Sequence, residues 1–195
     1  AEEKAKGDAL NTAPPKIYVR QNPTVLILID GQPVLQKVPD TNLMRVINSP
    51  AVIVLETDTG RYYLQGEGYW MVAASLEGPW SKAANPPSSL LTVSKMEEQA
   101  GGVTAAKALP IPGGPPPEII VSTEPTELIQ LKGEAQFSPI GRTQLLYVKN
   151  SDGDLFMNLP QQRYYVLLSG RWFSAAKLDG PWEFVAGSAL PVDFA

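Results

Sequence analysis

One displacement constrains what this chain can fold into: shifted by 102 residues, it superposes on itself without a gap. Pro14, Pro15, Ile17 and Val19 fall on Pro116, Pro117, Ile119 and Val121. Pro23, Thr24, Leu26, Ile27 and Gly31 fall on Pro125, Thr126, Leu128, Ile129 and Gly133. Thr41, Leu43, Val46, Asn48 and Ser49 fall on Thr143, Leu145, Val148, Asn150 and Ser151. The closing phrase Arg-Tyr-Tyr, Gly, Trp, Ala-Ala, Leu and Gly-Pro-Trp is written at 61–80 and again at 163–182. About 25 of the 67 positions from Pro14 to Trp80 are identical. Loops lengthen at little entropic cost, so retained loop lengths predict a compact unit with constrained turns, built twice.

The repeats divide the chain. Residues 1–13 read as the tail of a preceding spacer, 14–84 as the first repeat, 85–115 as a helical and Pro-rich spacer, 116–188 as the second repeat and 189–195 as a C-terminal tail. Within the spacer, Ala, Lys, Glu and Met predict a short helix interrupted at Gly101-Gly102, followed by an extended Pro-rich tether.

Each repeat reads as short strands. "EIIVS", "TELIQLKG", "TQLLYVKN" and "DLFMNL" are bounded by turn residues, and "NSDG" is a turn. "RYYVLLSGRWFSAAKLDGPWEFV" reads as a three-stranded meander. The expected class is all-β, with two tandem copies of a small barrel or sandwich. The strand between Val25 and Ile29 is apolar on both faces, whereas its counterpart carries Glu127 and Gln130. Such a strand is normally covered on both sides. It predicts an extra contact with the second repeat, the spacer helix or a protein partner, unless Leu26 and Leu28 are both exposed.

Composition excludes several chemistries. With neither Cys nor His, the chain has no disulfide, no thiolate zinc site and no imidazole acid or base. Net charge is −4 and no basic block interleaves with aromatics, which argues against nucleic acid. No apolar run is long enough for a membrane span. "AEEKAKGDALNTAPP" lacks the apolar core of a signal peptide, which leaves a cytoplasmic protein or one whose leader has been removed.

The meander pattern resembles the small carbohydrate-binding modules of family five/twelve, which bind chitin or cellulose. The longer unit, over about residues 14 to 195, resembles bacterial repeat proteins labelled carbohydrate-binding family V/XII. That resemblance implies a bacterial, extracytoplasmic protein (periplasmic, at the outer surface or secreted) and a polysaccharide or cell-wall glycan as ligand. A pyranose stacks on a flat aromatic ring. The ligand-binding candidates are therefore Tyr63, Trp70 and Trp80, with Tyr165, Trp172 and Trp182. Alternation turns Tyr62 and Leu64 inward and Tyr63 outward, and likewise Tyr164 inward and Tyr165 outward. The competing expectation is that Trp80 and Trp182, each closing a small β-unit, plug its core.

Other candidates are weaker. Asn150, Asp152 and Asp154 start like a calcium loop, but Gly falls at the wrong place and no Glu closes it, so no metal site is expected. The carboxylate pairs Glu124 with Glu127 and Glu56 with Asp58 are each confined to one repeat. The expectation is a non-enzymatic protein without cofactor that binds polysaccharide. The alternative is a scaffold subunit of a cell-envelope or extracellular assembly, with the aromatics in the core.

Overall fold

The computed structural model describes residues 12–100 and 114–195. Among these residues it is all-β apart from one α-helix and two short 3-10 turns, Gly187–Ala189 and Val192–Phe194. The first repeat contributes β1 (Lys16–Arg20), β2 (Thr24–Leu28), β3 (Leu35–Lys37), β4 (Leu43–Val46), β5 (Ile53–Glu56), β6 (Arg61–Gln65), β7 (Trp70–Ala73) and β8 (Ser81–Lys82). Helix α1 (Leu90–Gln99) follows. The second repeat repeats the order as β9 (Glu118–Ser122), β10 (Thr126–Gln130), β11 (Phe137–Pro139), β12 (Leu145–Val148), β13 (Asp154–Asn158), β14 (Arg163–Leu168), β15 (Arg171–Ala175) and β16 (Glu183–Val185).

The three-stranded meander read from the sequence is the end of a longer one. β3 to β8 form one six-stranded antiparallel sheet in chain order, and β11 to β16 form its twin. Retained residues explain the ungapped alignment. Asn48 accepts from the Val34 amide at 2.8 Å and donates to the carbonyls of Asp30 and Gln32. Asn150 makes the same three bonds, to Gln136, Lys132 and Glu134. Thr41 and Thr143 each donate to a carbonyl three residues earlier at 2.8 Å. A loop whose length changed would lose these ties.

The opening strands depart from the compact, self-contained repeat that the sequence predicts: they are exchanged between repeats. β1 pairs in parallel with β10, and β2 pairs in parallel with β9. The link between β1 and β2 is too short for a parallel crossover, and Pro23 biases Asn22 toward extended backbone. The link therefore runs on as an elbow, and each strand finds its partner in the other copy.

The exchange builds both cores. Ile17 and Val19 from the first repeat pack with Ile129, Leu131, Val166 and Phe173 of the second. Ile119 and Val121 from the second pack with Ile27, Ile29, Ile53 and Leu64 of the first. The strand at 25–29 does meet the second repeat, but its counterpart β10 meets the first in the same way, and its second face is not fully covered: Leu26 is half-buried and Leu28 remains 44% exposed.

Helix α1 lies where the sequence places it and ends ahead of Gly101, while the tether from 101 to 113 lies outside the described residues. Leu90 and Val93, three apart and so on one helical face, pack on the first sheet's second face against Tyr63 and Trp70. Glu97 adds an ion pair to Arg45 at 2.8 Å. The first sheet is therefore covered on both sides.

Candidate functional site

The structure separates the six aromatic candidates. Alternation assigned their faces correctly: Tyr62 and Leu64 meet the exchanged strands, and Tyr63 faces away from them. That second face is not solvent, however. Tyr63 is 5% exposed and Trp70 8%, beneath α1. In the second repeat, Tyr165 is 4% exposed. Phe194 of the C-terminal tail covers this face, 5.0 Å from both the Tyr165 and the Trp172 ring centroids, with Phe156 alongside. Trp172 is half-buried there. Burial pushes the Tyr165 phenol above its ordinary range, against a smaller opposite effect of Arg163. The expected outward shelf of tyrosines is thus a second core layer, because whatever follows each repeat folds back over it.

Trp182 is 7% exposed and belongs to the second core, as a plug would. Its counterpart Trp80 is half-buried against the first core and donates its indole N–H to the Leu76 carbonyl at 3.1 Å. Glycine precedes each Pro-Trp for two reasons. Gly78 and Gly180 have φ of 98° and 89°. A Cβ there would also lie only 3.0 and 3.1 Å from Cδ1 of the following Trp.

Trp80 alone of the six lines a surface cleft of about 560 Å³. Three pieces make it: the turn from Glu77 to Trp80, the alternate residues Lys16, Tyr18 and Arg20 of β1, and every residue from Glu118 to Glu124, that is β9 and the two residues after it. Ion pairs bridge β1 and β9 at both ends. Lys16 Nζ lies 2.9 Å from Glu124, whose hydrogen bond and charge raise the lysine pKa above 10.5. Arg20 Nε meets both Glu118 oxygens at 3.1 and 3.0 Å, and its guanidinium sits 5.0 Å from the Tyr18 ring centroid.

Five of the remaining polar candidates, Asn150, Asp152, Glu56, Asp58 and Glu124, are engaged in the fold. Asn150 ties a loop, and Asp152 accepts from the Gln130 amide at 2.8 Å. Among the described residues no group of acidic side chains forms a cation site. Glu56 accepts from the Thr59 hydroxyl, Asp58 from Asn42 at 2.7 Å, and Glu124 binds Lys16.

Sequence reasoning missed Tyr18, Arg20 and β9 as groove residues. The signal lay in differences between copies, since Ile120 and Ser122 stand where the first repeat has Tyr18 and Arg20. Comparison with known proteins finds no family model, no curated relative and no solved structure that matches the chain.

Proposed function

We propose that the chain is a non-catalytic scaffold module of a protein assembly, in which the repeated aromatics hold the repeats together rather than grip a ligand. The observation that carries this reading is the burial of Tyr63, Trp70, Tyr165 and Trp182. Retained residues such as Asn48, Thr41 and Gly78 serve loops and turns, as expected where the fold itself is the retained property. The strand exchange welds two units into one element, which suits a spacer or docking part. Its proposed setting is bacterial and extracytoplasmic, on the strength of the repeat resemblance.

A second reading is polysaccharide binding in the groove, favoured by the half-open indole of Trp80 beside Tyr18 and the carboxylates of Glu77, Glu118 and Glu124. Retention on insoluble chitin, cellulose and peptidoglycan separates the two. The scaffold reading expects wild type to pass through all three polymers. Retention that is lost in Trp80→Ala, with the melting temperature unchanged, would overturn it in favour of the glycan.

A further inference from the structure

We infer that the groove between β1 and β9 is an acceptor for an extended peptide, which adds to β9 as a further strand; the inference rests on the scaffold reading and names its partner class.

The geometry begins with hydrogen-bond phase. The Glu118 amide donates to the Pro23 carbonyl at 3.0 Å, and the Ser122 carbonyl accepts from the Ile29 amide at 2.9 Å. Bonding residues alternate along a parallel ladder, so Glu118, Ile120 and Ser122 direct their backbone groups to β2. Ile119 and Val121 turn theirs to the opposite edge. That edge faces the groove, because every residue of β9 lines it, including Ile119 and Val121 whose side chains are buried in the first core, whereas β1 contributes only alternate residues.

The equivalent edge of β1 is capped. There Val19 turns its carbonyl outward, and its neighbour Arg20 covers it with Nη1 at 3.2 Å, held in place by Glu118. Ser122 replaces Arg20 in the second repeat and spends its hydroxyl on Glu124 and Thr126. Among the described residues nothing caps Val121 in the same way. Natural proteins protect open edges with charge or Pro. This one is the uncharged run Ile119-Ile120-Val121.

An added strand would satisfy those amides and carbonyls, with pockets reading alternate side chains. The indole of Trp80 and the ring of Tyr18 suit an apolar side chain. Glu77, Glu118 and Glu124 exceed Lys16 and Arg20 by one charge, 3 against 2, which suits a basic residue. Both bridging ion pairs are solvent-exposed, with side-chain exposures of 53% and 62% for one and 30% and 44% for the other, so little is lost when an incoming chain displaces them.

The probe is a random twelve-residue peptide library selected on the intact chain. Selected peptides should be free of Pro at alternate positions, carry apolar residues two apart and include a Lys or Arg. Adding one should shift the backbone amides of Ile119 and Val121 above those of Glu118 and Ile120. Val121→Pro deletes an amide on the groove edge and none on the β2 edge, and should weaken binding about tenfold. Binders that leave the Ile119 and Val121 amides unmoved, or a selection that yields none, would overturn the proposal whether or not Val121→Pro folds. Failure here with no retention on polymers leaves the scaffold reading standing, whereas Trp80-dependent retention removes both.

Discussion

Val19 lies directly opposite Ile129 in the parallel β1–β10 ladder, and both side chains sit in the core of the second repeat's sheet. A residue of one repeat thus stabilises the other. A double-mutant cycle between Val19→Ala and Ile129→Ala should show a coupling of about 0.5–3 kcal/mol, the range for residues in contact. Val19→Ala with Ile27→Ala, nearer in sequence but in the other core, should be additive in denaturant unfolding.

Leu90, 1% exposed, fastens α1 over Tyr63 and Trp70. Leu90→Ala should cost about 2–5 kcal/mol by transfer and cavity effects together. Its neighbour Leu91 is 62% exposed, and Leu91→Ala should stay within about 0.5 kcal/mol. Equal losses in urea denaturation would contradict the helix placement.

Gly180→Ala adds a methyl 3.1 Å from the Trp182 ring in a backbone with φ of 89°. We expect about 1–3 kcal/mol of destabilisation. Gly187→Ala meets nothing within 4 Å and has no left-handed φ, so its melting temperature should match wild type closely.

Tyr165 supplies a pH dependence. Burial raises its pKa above the ordinary 10.0, so between 10.0 and the folded value the folded protein holds more protons than the unfolded chain. Stability associated with the neutral phenol is therefore complete below pH 10 and is lost as pH rises through the folded pKa. Tyr165→Phe should flatten the alkaline fall in melting temperature; an unchanged slope would assign that fall to other groups.

The all-β class, the duplication and α1 were legible because each rests on local pattern: alternation, repeated phrases and a helix-favouring run ending at Gly101-Gly102. The strand exchange was not, because nothing in "KIYVR" or "TVLIL" specifies which copy completes a ladder; Pro23 and Pro125 show only that the link is extended. The outward face of Tyr63 and Tyr165 followed from alternation. Its burial did not, since it depends on α1 and Phe194, which lie beyond the repeat boundary. The groove was hidden in divergence. The eye follows the retained Trp80, while the position that leaves β9 open is the unretained Ser122 opposite Arg20.

The interlocked fold meets its most direct test in a disulfide trap, for which a chain without cysteine is a clean background. Thr24 and Glu118 are paired across the β2–β9 ladder, where neighbouring strands run about 4.8 Å apart, within disulfide reach. Under mild oxidation, Thr24→Cys with Glu118→Cys should close an intramolecular bond, seen as a faster non-reduced band. Lys16→Cys with Leu28→Cys, the pair that a hairpin within the first repeat would join, should stay reduced. Cross-linking of the second pair and not the first would mean that each repeat keeps its own opening strands, and would contradict the exchange.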